Sequence, residues 1–243
     1  MPFRKSLAAL VVALCALSTT GCEGGTITFK GPSIETPWFN YPPKKTLNPL
    51  QISGEEKWHS GDYKGALEDF EELIKEEPNN AYAFYSRGSA LLKLGKVQEA
   101  MDDTNKALEL DPNLAEAYES RGVGKAMMGN QGGALLDFNR AIEIDENFQS
   151  AYANRGAVKS DLGNYAGALI DLNKALEIDP NYTYALHNRG IAKNMIGNYK
   201  DAILDFTKSI ELQPMDVNSY KSRAISKNSL GDYKGAILDL DSV

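Results

Sequence analysis

The 243-residue sequence repeats itself every 34 residues. Gly61, Gly95, Gly129, Gly163, Gly197 and Gly231 keep that period without exception, and so do Ala66, Ala100, Ala134, Ala168, Ala202 and Ala236. A second glycine series, Gly54, Gly88, Gly122, Gly156 and Gly190, is completed by Ala224. A fixed period of this length describes one supersecondary unit that cannot bury its apolar face alone and stacks on copies of itself. It rules out a globule built round one central core. Five full units run 47–80, 81–114, 115–148, 149–182 and 183–216, and a sixth, 217–243, is incomplete.

Apolar residues recur at helical spacing between Gly88 and Gly95 and again from Val97 to Leu110, so each unit is a pair of helices. The mid-unit glycine ends the first helix, where a left-handed residue is needed. Pro78, Pro112, Pro180 and Pro214 are expected to close the second helix, because proline cannot continue its ladder; Glu146 holds that place in the third unit. Small residues, Gly in the first helix and Ala in the second, let the two backbones cross closely. Tyr152, Leu162, Tyr165, Leu172 and Ile178 are expected to fill the space around the crossing. The third unit is the weak one, with Gln131 in a tyrosine position, Gly132 beside Gly133 and no closing proline. Extra helical glycine predicts a hinge near 129–134.

A charged ladder runs through the units. Arg87, Arg121, Arg155, Arg189 and Arg223 share one place in the first helix. Lys57, Lys125, Lys159, Lys193 and Lys227 share the place one turn later, interrupted by Leu91. On the second helix, Asp69, Asp103, Asp137, Asp171, Asp205 and Asp239 share a third place. Positions i and i+4 lie on one helix face. The expectation is a bidentate structural pair in each unit, with each cation matched by an acid of its own unit: Arg87 with Asp103, Arg121 with Asp137, Arg155 with Asp171, Arg189 with Asp205 and Arg223 with Asp239. An anion-binding arginine stripe is the alternative.

This pattern resembles the tetratricopeptide repeat (TPR). Unit 81–114 carries it as Phe84, Gly88, Gly95, Ala100, Ala107 and Pro112; unit 183–216 carries it as Leu186, Gly190, Tyr199, Ala202, Phe206 and Pro214. The resemblance implies an all-α fold, a right-handed α-solenoid of about six helix–turn–helix repeats. It also implies a concave groove, lined by first helices, that binds a peptide or helix of partner proteins. Mapped onto this sequence, the groove takes Tyr82, Tyr85, Glu119 and Asn154 from units two to four. From the fifth it takes Tyr184, His187, Asn188 and Asn194. Asn154 and Asn188 hold the place where family members bind a peptide main chain. The carboxylate clamp of chaperone-binding members needs Lys and Asn one turn apart. Pairs such as Glu119/Val123 and His187/Ile191 stand there instead, so a chaperone C-terminus is not the expected ligand.

Residues 1–21 carry Arg4 and Lys5, an apolar run from Leu7 to Leu17, and the small residues Ser18 to Gly21. The run is too short to span a bilayer and suits a cleaved signal. With Cys22 next, the segment resembles a bacterial lipoprotein signal, in which that cysteine is acylated. The alternative is an ordinary signal with Cys22 incidental. Removing residues 1–21 takes two basic residues and no acid, leaving a net charge of −9 that anionic headgroups would repel. Attachment would then rest on the acyl chains. Residues 22–46, with Pro32, Pro37, Pro42 and Pro43, read as a tether whose Trp38, Phe39 and Tyr41 are expected to dock on the first helices.

A net charge of −7 and a pI near 5.0 argue against nucleic acid as a partner. Past Cys22 there is no thiol, and His59 and His187 are the only histidines. No catalytic residue, metal site or cofactor is expected. The expected role is a membrane-anchored, exported scaffold in the cell envelope, at the inner or outer membrane, that assembles or recruits protein complexes. A regulatory subunit or adaptor of an envelope hydrolase or protease is one alternative. Another is a homo-oligomeric module joined at the C-terminal end, where the sixth unit lacks a polar capping helix.

Overall fold

Each unit folds as a helical hairpin. The computed structural model describes residues 48–242; the signal segment, Cys22 and the tether aromatics lie outside them. Among the described residues there are twelve helices and no strand. The first three hairpins are α1 (Pro49–Ser60) with α2 (Tyr63–Glu76), α3 (Ala81–Lys93) with α4 (Val97–Leu110), and α5 (Ala115–Met127) with α6 (Gln131–Ile144). The fourth and fifth are α7 (Gln149–Asp161) with α8 (Tyr165–Ile178) and α9 (Thr183–Met195) with α10 (Tyr199–Leu212). The sixth is α11 (Val217–Ser229) with α12 (Tyr233–Leu240). No helix among the described residues is long and apolar enough to cross a membrane.

The hairpin turn is made the same way six times. Its glycine has φ between 76° at Gly95 and 86° at Gly61, a region that costs other L-residues energy. The second helix is then capped by its own side chain: Asp62, Asn130, Asn164 and Asp232 accept the backbone N–H of Gly65, Gly133, Gly167 and Gly235 at 2.9–3.0 Å. Proline does not set the far end. α6 stops in register with α4 and α8 although Glu146 replaces proline. The shared element is an extended aspartate: Asp111, Asp145 and Asp179 accept the N–H two residues on at 2.9 Å. That local bond competes with continuing the helix.

First helices of neighbouring units touch from α3 onward, and every second helix packs on the first helix of the next unit. Second helices make no comparable contact with each other, so the stack is tighter on the first-helix side and forms a solenoid with that side concave. Phe70, Phe138 and Phe206 are fully buried, each with a ring edge against a first-helix glycine. A Cβ at Gly54, Gly122 or Gly190 would come within 2.6 Å of the ring. At Gly156 it would meet Leu172 Cγ at 2.8 Å and the Ala168 carbonyl oxygen at 3.2 Å, and at Gly88 the Ala100 carbonyl oxygen and Thr104 Cγ2, both at 3.2 Å. Leu172 is buried as expected, whereas Leu162, the C-cap residue of α7, is 56% exposed and fills no crossing.

The charged ladder ties the hairpins together. Arg155 donates through Nε and Nη2 to both oxygens of Asp171, at 2.8 and 2.7 Å. The same two-bond geometry joins the other four Arg–Asp pairs. The expectation of one acid per cation does not hold. The lysine one turn on reaches the same carboxylate, as Lys159 does to Asp171 at 2.7 Å, so one aspartate serves two cations in units three to six. In unit one Ser53 replaces the arginine and hydrogen-bonds Asp69 beside Lys57; in unit two Leu91 leaves Asp103 with Arg87 alone. The remaining arginine nitrogen, Nη1, crosses to the preceding unit, where Asn105, Asn139, Asn173 or Thr207 accepts it. Four of the guanidinium groups also lie 5.3–5.7 Å from an aromatic ring centroid three residues back. In units three to six all three nitrogens of the ladder arginine have a protein acceptor, which argues against an anion-binding stripe there.

The third unit shows no break at 129–134, since α6 starts on a normal Asn130 cap. Its distinguishing marks are Gln131 Oε1, buried without a donor, and Gly132, exposed with open space where a Cβ would go. Gly132→Ala should therefore raise stability by up to about 1 kcal/mol through helix propensity alone. Urea denaturation of the variant checks this, and an unchanged midpoint would refute it.

Candidate functional site

The concave side gathers side chains from five units into a cavity of about 530 Å³. α1 contributes Trp58; α3 contributes Ser89, Leu92 and Lys93; α5 contributes Glu119, Ser120, Val123 and Met127. Ser150 and Asn154 come from α7, Tyr182 from the turn before α9, and Tyr184 from its first turn. The stacking of first helices brings these positions together, with Tyr182 added from the turn that leads into α9.

Glu119 is the charged centre of this wall. Asn154 Nδ2 donates to its Oε1 at 2.5 Å, and Ser150 also bonds to it. Burial pushes its carboxyl up to about 7, against the opposing pull of nearby Lys93 and those two bonds. Burial, reinforced by Glu55, pushes the Tyr82 hydroxyl up to about 12. It raises Tyr85 and Tyr182 beside Glu119, and Tyr184 near Asp161. These phenols stay neutral and act as donors with large apolar faces. Tyr82 and Tyr85 meet edge to face at 5.4 Å, and Tyr182 and Tyr184 lie 6.1 Å apart. Lys93 Nζ stands 5.7 Å from the Trp58 ring centroid. Trp58 Nε1 is buried with no acceptor.

The expected groove residues do not all meet. Glu119, Asn154 and Tyr184 line the large cavity. Tyr82 lines a smaller one of about 60 Å³ with Glu55, Trp58 and Phe70, while Tyr85 packs beside Ala107, Leu108 and Ala117. The other three residues are engaged within α9 or with the next unit. His187 Nδ1 lies 3.0 Å from Ser219 Oγ, and its ring packs on Phe206; burial, opposed by Asp216, lowers its pKa. Asn188 donates to the Tyr184 carbonyl, and Asn194 accepts from Ser226. Trp58, Lys93 and Tyr182 were not anticipated. Lys93 was open to discovery, since it lies two turns beyond Tyr85 on the same helix.

Among the described residues no group of three or more His, Cys, Asp or Glu is placed to hold a metal. What the wall offers is hydrogen bonds, aromatic faces and charge.

Residues 53–115, 150–182 and 172–203 each match a family model described as tetratricopeptide repeat, and the chain carries tetratricopeptide repeats. Among solved structures it is similar to the MamA protein, at 26% identity over 68% of this chain and 90% of that one, with a TM-score of 0.53. It is also similar to a tetratricopeptide repeat protein from Parabacteroides merdae ATCC 43184, at 26% identity, 80% and 77% coverage and a TM-score of 0.61. A third, YrrB, is described as a TPR protein with an unusual peptide-binding site. It shares the fold at 22% identity, 70% and 88% coverage and a TM-score of 0.51. Among curated proteins, none is similar enough in sequence to match.

Proposed function

We propose that the protein is a non-enzymatic interaction scaffold that holds a peptide or helix of a partner protein in its concave groove. The carrying observation is the cavity that runs across five units and is walled by Trp58, Glu119, Asn154, Tyr182 and Tyr184. Aromatic side chains with polar tips supply binding area at low entropic cost. Export and acyl anchorage at Cys22 belong to the same proposal, supported by the basic, apolar and small-residue order of residues 1–21, and they would place the groove in the cell envelope.

A photo-crosslinking residue at Val123, inside the groove, should capture a partner protein in cells, while one at Glu143 on the outer side should not. Equal capture from both positions would sink the groove reading. Capture of a second copy through Ile237 would favour a homo-oligomeric module instead, for which the exposure of Tyr233, Ile237, Leu238 and Leu240 speaks. In the same cells, Cys22→Ala should abolish acyl labelling.

A further inference from the structure

The groove's chemistry narrows the partner, if the groove is the binding site. Glu119 is the one acid and Lys93 the one cation lining the cavity, and Glu55 and Glu116 act on Tyr82 and Tyr85 beside it. Lys93 lies over the face of Trp58, which shows that this ring accepts an ammonium group. Glu119 takes the Asn154 amide on one oxygen and makes no ion pair. Lys93 acts on this buried carboxylate from beyond ion-pair distance, and a carboxylate so desolvated is an unfavourable arrangement that a ligand cation can relieve.

We propose that the groove takes a cationic peptide segment, with a Lys or Arg side chain received by Glu119 among Trp58, Tyr182 and Tyr184. The ligand's charge meets a carboxylate in a low-dielectric site, where a charge-assisted hydrogen bond is strong. Its apolar stem lies on aromatic faces that also attract the cation. Glu119, with Glu116 on the same helix, disfavours an acidic segment at this point, which gives selectivity as well as affinity.

The titration of Glu119 supports this geometry. The groups that face it are Lys93 and Tyr85 from α3, Glu116 on its own helix, Ser150 and Asn154 from α7, and Tyr182 and Tyr184 from the start of α9. Its folded-state pKa is raised, so its contribution to stability is present below the ordinary carboxylate range and lost as pH rises through about 7. A bound cation favours the ionised form and restores that loss. Affinity should then climb as pH rises toward 7 and level off above it.

The test probes the full chain with an array of random dodecapeptides, acetylated at the N-terminus and amidated at the C-terminus. Bound peptides should be enriched in Lys and Arg. A fluorescein-labelled peptide from that set should bind Glu119→Gln about tenfold more weakly and lose its pH dependence. Glu211→Gln, an equal charge change on an exposed second-helix residue, should leave both unchanged. Enrichment of Asp and Glu, absence of charge bias, or equal losses in the two variants would overturn the proposal. If such peptides still protect α3, α5 and α7 from hydrogen exchange, the groove reading survives. Protection elsewhere, or no bound peptide at all, overturns both.

Discussion

Asp171→Ala should cost about 3 kcal/mol, the low end of the range for breaking a buried ion pair. Asp171 is 2% exposed and takes Arg155 on both oxygens and Lys159 on one. Its removal leaves two cations facing a space with no carboxylate. The side chains of Arg155 and Lys159 retain 17% and 25% exposure, so water softens the loss and holds it near the lower figure. Asp103→Ala should cost less, because only Arg87 depends on it. A fall of about 3 kcal/mol is a large share of the roughly 5–15 kcal/mol that holds an ordinary domain folded, and it falls on an arginine that also links the fourth unit to Asn139 of the third. Urea denaturation is the measurement, and a loss under about 0.5 kcal/mol would leave the ladder without a structural role. Acid should act in the same direction. At Asp239 burial opposes the charge, but the bonds from Arg223 and Lys227 outweigh it and hold the carboxyl below its usual range. The stability it contributes is present above the ordinary carboxylate pKa and is lost as pH falls through the depressed value.

How far such a site can be read from sequence depends on whether its partners share one register. The 34-residue period, the left-handed glycines and the helical spacing give the hairpins and their stacking, because every unit states them again. The same register sets Asp171 opposite Arg155. It does not reveal that Lys159 turns onto the same carboxylate, since that depends on where two flexible side chains end. Nor does it reveal that Arg155 reaches Asn139, a contact made only once two units are stacked. The groove follows the same division. Glu119 and Asn154 sit on neighbouring first helices one place out of register, 35 residues apart, and the structure joins them. Trp58 is followed in register by Leu92, Ala126 and Ser160 and carries no repeat signal. Tyr182, by contrast, follows Leu114 and Phe148 as the bulky residue before a first helix, which marks packing and not a groove. His187 looks like a groove residue by register, but the next unit offers Ser219 within reach and engages it.

Phe206→Ala should cost about 4 kcal/mol, within the 3–5 kcal/mol typical of emptying a buried aromatic site. Phe206 has no exposed surface, and its ring edge rests on the α-carbon face of Gly190. The converse change is also unfavourable. A Cβ at Gly190 would stand 2.6 Å from Phe206 Cε1 and 2.7 Å from Cζ. Overpacking near the top of its usual 1–3 kcal/mol range, less about 1 kcal/mol gained in helix propensity, gives a net loss of about 2 kcal/mol for Gly190→Ala. The two losses should not add. Once the ring is gone the added methyl has room, so Gly190→Ala combined with Phe206→Ala should be no less stable than Phe206→Ala alone. The resulting coupling of about 2 kcal/mol lies within the range seen for residues in contact. The chain supports this reading at the one unit that carries alanine here. Ala224 faces α12, whose Leu240, in the place of Phe206, is 50% exposed and can yield. Strict additivity in the double-mutant cycle would show that Gly190 serves the backbone crossing, as Gly88 does against Ala100, and not the ring.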